Sequence, residues 1–403
     1  MKGDVLIVKF GGSCLSSPES LQVAARKILN ETQSDTRVLV VVSALKGVTD
    51  DLLKTATQKT PDLSKDDLDE ILSMGERTAA PLMVNALKSS GIQAEAIDPS
   101  SNLWPIFTDA NHGSAEVNLE ITEKMVSEKI KPLLDEGRVV IFPGFIGLGP
   151  NGHITTLGRG GSDITAVVLG SCLLAKEVVF VKDVQGILSA DPKRINGTRM
   201  IESLDVSEAF ALTTAGAKIL HPRALKYKRN ETVLRIVGFD EGDLRGGTLI
   251  QGKLDSVAEC ALHPSKVGMV TIIGQEVSTP ETALKIFSEA FLSSPRVLGI
   301  TLTNSSVLLY IENPGELVPL LHDKITHQGL AKAIHCFDPL AMIVIGGPGL
   351  EKIPGIVDAV VRPLAKEKIN VYGVMTISSS VRVFVLWDQR ERAVELVTQG
   401  LST

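Results

Sequence analysis

Short apolar runs separated by amphipathic stretches set the rhythm of the first 250 residues. Val5–Val8, Val38–Val42, Val139–Phe142 and Val178–Val181 are continuous and rich in β-branched residues, as strands covered on both faces are. Between the first two runs, Leu21, Ala24, Ala25, Ile28 and Leu29 fall on one helical stripe. Ser17 is placed to cap that helix and Pro18 suits its first turn. A second helix is predicted from Ser162 through Ala166, Val167 and Leu169 to Leu174. This alternation predicts an α/β domain, with βα units around a largely parallel sheet. Asp240–Gly247 is polar and glycine-rich, and Thr248–Gln251 reads as a closing strand.

After about residue 255 the pattern changes. Val267–Gly274 reads as a strand, Thr279–Ser294 as a helix, and Val297–Glu312 as two strands turning at Asn304–Ser305. Ala341–Gly347, Pro354–Ile369 and Asn370–Trp387, with a turn near Ser378–Ser380, repeat that order. Helices over Gly315–His327 and Gln389–Gly400 follow the two units. The chain therefore divides into a domain over 1–252 and an α+β region over 253–403. The latter holds a weakly duplicated βαββα module, at about 264–330 and 331–403, with interleaving left open.

The 403 residues exceed one ordinary core, and 44% of them are hydrophobic. A net charge of −6 with interspersed signs argues against nucleic acid or an anionic membrane as partner. Cys14, Cys172, Cys260 and Cys336 match no zinc spacing and no disulfide framework, which suits reduced thiols in a cytoplasmic protein. The opening MKGDVLIVKFGG is broken by Lys9 and reads as a first strand, not a signal peptide; no run approaches a membrane span.

Three segments carry candidate chemistry. Lys9-Phe10-Gly11-Gly12-Ser13 follows the first strand; its glycine amides and lysine suit a phosphate, although a tight turn with a surface lysine fits equally well. No GxxxxGK[ST] run occurs. Thr155–Asp163 (TTLGRGGSD) places Arg159 among glycines just before a helix, with Ser162 and Asp163 in its first turn. The guanidinium can grip a carboxylate, the helix N-terminus favours an anion, and Asp163 can act through the lysine or a metal. The third segment, Lys182-Asp183-Val184-Gln185-Gly186-Ile187-Leu188 with Asp191-Pro192-Lys193, lies at a strand's carboxyl end, where open α/β sheets bind ligands. A plain turn explains it as well. Ser43 and Thr49 offer hydroxyls after the second strand. Glu76, in SMGER, is read as opening a helix, and Lys218, in GAKILHP, as lying near a helix end.

Taken in order, these segments resemble the aspartate kinases of the amino acid kinase family. The shared stretches are KFGGS at Lys9–Ser13, VVSALKGVTD at Val41–Asp50, MGE at Met74–Glu76 and GFIG at Gly144–Gly147. They continue with TTLGRGGSD at Thr155–Asp163, KDVQGI and ADP at Lys182–Pro192, GAKILHP at Gly216–Pro222 and GGT at Gly246–Thr248. The resemblance implies the amino acid kinase fold and ATP-dependent formation of 4-phospho-L-aspartate, the first step toward lysine, threonine and methionine. It implies that Lys9, Gly11 and Gly12 stabilise the moving phosphoryl group and that Asp163 organises the reacting groups. Arg159 and Glu76 would hold the α-carboxylate and α-ammonium of L-aspartate, with Ser43, Thr49, Phe145 and Ser162 beside them. Lys182, Asp183, Leu188, Lys193 and Lys218 would line the ATP site, with Mg2+ on the nucleotide and no protein metal site.

The duplicated tail resembles paired ACT domains, which implies an amino-acid effector and a homodimer or homotetramer. Some positions depart from the family pattern. The usual Thr-Ser after KFGG is Ser13-Cys14; the usual Thr-Asp is Lys182-Asp183. Leu188 replaces a tyrosine, Lys193 an arginine, and Asn304-Ser305-Ser306 lacks the acid of a Thr-Ser-Glu run. An amino-acid-binding protein with a decayed kinase half and a glutamate kinase are the competing readings.

Overall fold

The computed structural model describes residues 3–33, 36–59, 62–214, 216–217, 219–252, 260–293, 296–315, 317–346, 350, 354–377 and 380–401. The chain forms two compact units, Met1–Ser256 and Val257–Thr403.

The strands of the first unit are β1 (Val5–Phe10), β2 (Arg37–Val42), β3 (Ala94–Ala96), β4 (Val139–Pro143), β5 (Ile146–Leu148), β6 (Ile154–Thr156), β7 (Glu177–Lys182), β8 (Ser203–Asp205), β9 (Val233–Gly238) and β10 (Thr248–Gln251). Its helices are α1 (Pro18–Thr32), α2 (Val48–Lys59), α3 (Lys65–Ser89), α4 (Leu119–Met125), α5 (Lys131–Asp135), α6 (Gly161–Cys172), α7 (Val206–Thr214) and α8 (Pro222–Lys226). A π-turn over Val126–Ile130 joins α4 to α5, next to Pro132, which cannot donate to the helical ladder.

Eight strands form one sheet in the order β3-β4-β2-β1-β7-β9-β10-β8, and only the β9–β10 pair is antiparallel. The continuous apolar runs are its centre, and strand parity sorts them to two faces. Ile7, Leu39, Val140, Val178 and Phe180 pack in the core that includes α6. Val8, Val40, Ile141, Val179 and Val181 pack in the core that includes α1 and α3. The order reverses between β1 and β7, so the carboxyl ends of those strands open a crevice suited to ligands.

The first helix forms as its sequence dictates. Ser17 caps α1 in a reciprocal box with Ser20, with Pro18 in the first turn. Helix α3 differs from expectation: Glu76 does not open a helix but lies in the middle of this 25-residue one, which runs through Pro81. Capping by Ser64 starts it eleven residues earlier than Gly75 and Pro81 suggest, and buried Ala79, Ala80 and Met83 hold the helix across the proline.

The second unit contains β11 (Ala261–Leu262), β12 (Val267–Ile273), α9 (Pro280–Ser293), β13 (Val297–Leu302), β14 (Ser306–Glu312), α10 (Leu317–His327), β15 (Ala333–Gly346), α11 (Ile356–Lys366), β16 (Gly373–Ile377), β17 (Ser380–Leu386) and α12 (Arg390–Leu401). Its sheet runs β13-β14-β12-β15-β17-β16, with β11 beside β15. The strand expected at Ala341–Gly347 begins eight residues earlier, because β15 serves both modules. Its first half pairs with β12 and its second with β17 and β11. Pro339 hid this continuity: a proline argues against a central strand, and here it sits where the β12 register slips between Val267 and Met269. Strand β11 precedes the first module and pairs with the second half of β15. The expected turn at Ser378–Ser380 falls largely outside the described residues.

Candidate active site

Lys9 ends an otherwise apolar strand on the α6 face and is 7% exposed. Helix α6 is buried all round, and its first turn points Asp163 back at that lysine. Lys9 Nζ lies 2.8 Å from Asp163 Oδ1, and Lys182 Nζ, at the end of β7, lies 3.7 Å from Oδ2. Burial alone would raise the Asp163 pKa. Lys182 and Lys9 outweigh it, and the carboxylate is held below its usual range. Burial lowers the Lys182 pKa, with Asp163 opposing.

The Gly11–Gly12 turn follows β1, and Cys14 N donates to the Gly11 carbonyl at 2.9 Å. A Cβ on Gly12 would overlap the Ala44 carbonyl, so glycine lets the β1 and β2 loops touch. On the opposite wall, Gly160 has φ +76° and lies against the His221 ring, which a side chain there would strike. That glycine starts α6 and presents the Arg159 loop. Phe145 also has a positive φ of 73°, strained for a non-glycine residue. Its amide donates to Thr165 Oγ1 and its carbonyl accepts from Leu157 N.

These walls enclose a cavity of about 280 Å3. Lys9, Ser43, Thr49, Glu76, Phe145, Arg159, Ser162 and Asp163 all line it. Glu76 is 4% exposed, and its Oε2 has no hydrogen-bond partner. Burial pushes its pKa up to about 7, against the opposing effect of the Ala44 amide. An unsatisfied buried carboxylate facing a guanidinium in one small cavity is chemically matched to a zwitterion.

The expected nucleotide residues divide. Lys182 belongs to the Asp163 cluster. Asp183, Leu188 and Lys193 do not line this cavity; Asp183 and Lys193 are exposed on the loop after β7. There the Ile187 amide donates to Thr248 Oγ1 at 2.8 Å and the Lys193 amide to Asp191 Oδ1 at 2.9 Å. Lys218 lies outside the described residues, but its neighbour Ile219 accepts a hydrogen bond from Lys182 Nζ.

Sequence reasoning missed two anchors of the Arg159 loop. Asp69, 1% exposed on α3, accepts from Thr156 N at 3.1 Å, Thr156 Oγ1 at 2.5 Å and Gly113 N at 3.0 Å, with His112 Nδ1 at 2.9 Å. Arg223 donates to the Leu157 carbonyl at 2.8 Å and the Ala115 carbonyl at 2.9 Å. The spacing from Asp69 to Glu76, two helical turns on one face, was the available signal.

Residues 4–238 match the amino acid kinase family, and residues 337–399 match the ACT domain. The chain is 30% identical over 410 residues to an aspartokinase of Geobacillus stearothermophilus, covering 96% of this chain and 94% of that one. It is also 30% identical over 412 residues to an aspartate kinase of Pseudomonas putida, covering 99% and 97%. A crystal structure of aspartate kinase from Synechocystis superposes with a TM-score of 0.79 at 25% identity, covering 99% of this chain and 69% of that one. Among the described residues no helix is long and apolar enough to cross a membrane.

Proposed function

The chain belongs to the aspartate kinases of the amino acid kinase family, and from that premise we propose that it transfers the γ-phosphoryl group of ATP to the β-carboxylate of L-aspartate, giving 4-phospho-L-aspartate. The reading rests above all on Glu76, whose buried, unpartnered oxygen shares a cavity with Arg159, Lys9 and Asp163. Glu76 takes the α-ammonium and Arg159 the α-carboxylate in a fixed fork. Ser43, Thr49, Phe145 and Ser162 shape the rest of the pocket. A zwitterion held so directs its side-chain carboxylate toward Lys9.

A β-carboxylate oxygen forms the new bond to the γ-phosphorus, and the bond from phosphorus to the bridging oxygen breaks. ADP leaves with the electron pair. No proton moves, because the nucleophile is already ionised at neutral pH. Catalysis is alignment and charge neutralisation: Lys9 and the Gly12 amide face the equatorial oxygens, Asp163 fixes the lysine, and the Gly11 amide, which donates to the Val181 carbonyl, holds the turn in place. Asp183, Leu188 and Lys193 serve the nucleotide side, and the family resemblance adds Lys218 to the nucleotide-binding set. Among the described residues no group of three acidic, histidine or cysteine side chains is arranged to hold a metal. Mg2+ would enter on the phosphates of ATP and neutralise their charge.

We further propose that the product feeds lysine, threonine and methionine synthesis in the cytoplasm. The C-terminal modules bind an amino-acid effector and join subunits into a homodimer or homotetramer. The test is aspartyl hydroxamate formation with ATP, Mg2+, aspartate and hydroxylamine. Hydroxamate is expected. Turnover with another amino acid but none with aspartate would overturn the substrate assignment.

A further inference from the structure

Lys182 stands level with the phosphate-facing turn. Phe10 pairs with Val181, and Gly11 N donates to the Val181 carbonyl at 3.3 Å, so Lys182 is the next residue along β7. Its parity is that of Val178 and Phe180, which pack on the face that includes α6. There its ammonium and that of Lys9 share Asp163, one on each carboxylate oxygen.

Among the described residues both ammoniums converge on the one carboxylate of Asp163, with Glu76 acting on Lys9 and Asp183 on Lys182 from further off. Two ammoniums drawn to one carboxylate repel each other, and an anion entering beside them relieves that repulsion. The Ile219 carbonyl takes one Lys182 proton and Asp163 attracts a second. An ammonium has three.

We propose that Lys182 is a second catalytic cation, contacting the transferring phosphoryl group of ATP from the β7 side while Lys9 contacts it from the β1 side. The inference rests on the phosphoryl-transfer reading above. The alternative role is structural: Lys182 only anchors the segment around Ile219.

Full-length Lys182→Met, Lys182→Thr and Lys182→Arg separate the two. Loss of a preorganised cation lowers kcat by about 100-fold in Lys182→Met, with the aspartate KM within about 2-fold of the parent. Lys182→Arg restores at least about a tenth of kcat, since it keeps the charge. ATP affinity falls about 10-fold more than ADP affinity, because the contact is to the γ-phosphoryl group. A structural anchor moves ATP, ADP and aspartate binding together. Lys182→Met turnover within about 3-fold of the parent, or equal losses for ATP and ADP, overturns the proposal. If Lys182→Met fails to fold, Lys182→Thr carries the same comparison with a shorter, uncharged side chain. A parent protein inactive on aspartate would sink the substrate assignment instead, leaving the ATP-to-ADP comparison to decide the role of Lys182.

Discussion

Around Lys9, the side that carries Glu76 is walled by packed backbone, whereas the loop after β7 that carries Asp183 and Lys193 stands in solvent. On the first side, Gly12 meets the Ala44 carbonyl and Gly160 meets His221, while Asp69 and Arg223 pin the strand that leads to Arg159. Few side chains are tolerated there, and the residues expected for substrate binding all line one cavity. On the second side, Asp191 receives a backbone amide and a 3.9 Å approach from Arg194, both at the surface. Leu188, half-buried, and Lys193, exposed, fall on this looser side. Tight packing restricts residue choice; an exposed loop can vary while its backbone keeps the same turn.

Substitutions probe that contrast. The largest effect belongs to Lys9, where the two sides meet: Lys9→Ala lowers kcat by about 100- to 1,000-fold, measured by hydroxamate formation at saturating substrates. Retained turnover would remove the centre from this cleft.

Next is Glu76→Gln, which raises the aspartate KM by about 30-fold through loss of a charged hydrogen bond, with the ATP KM unchanged. The same residue fixes a pH dependence. Its folded pKa of about 7 lies above the ordinary carboxylate value of 4.5, so the empty folded protein binds the extra proton more tightly than the unfolded chain. That contribution to stability is full below about pH 4.5 and is lost as pH rises through 7. Thermal melts of the unliganded protein therefore decline across this window relative to Glu76→Gln. The aspartate KM moves oppositely and improves as Glu76 ionises. Parallel melting curves for the two proteins would contradict the burial argument.

Asp69→Asn has a smaller effect, exerted through folding: it costs about 1–3 kcal/mol by leaving buried donors poorly matched. Urea unfolding measures the loss, and a modest rise in aspartate KM accompanies it. The smallest effect is on the solvent side, where Lys193→Ala changes the ATP KM by less than about 5-fold, as an exposed charge should. A larger change there than at Glu76 would reverse the comparison.

Much of this was legible in the chain itself. Four apolar runs gave the central strands because a strand covered on both faces must be apolar throughout. Ser17 and Pro18 gave the start of α1. The ordered KFGG and LGRGGSD segments pointed, through the family resemblance, to Lys9, Arg159, Ser162 and Asp163, which line one cavity, although the KFGG segment alone fits a plain turn as well. Glu76 was misplaced at a helix start because glycine and proline discourage helix locally, a preference that packing of Ala79, Ala80 and Met83 overrides.

What sequence determined was local: periodicity, caps, turn glycines and the identity of the charged residues. What only the tertiary structure decided was which charges share a partner and which are buried. Lys182 became a neighbour of Lys9 because β7 pairs with β1 and both side chains turn toward α6. Glu76 acquired a pKa near 7 because folding buries it, against the opposing effect of the Ala44 amide. β15 became one strand of two modules through its partners on either side. Desolvation and long-range pairing depend on residues distant in the chain, and no local window contains them.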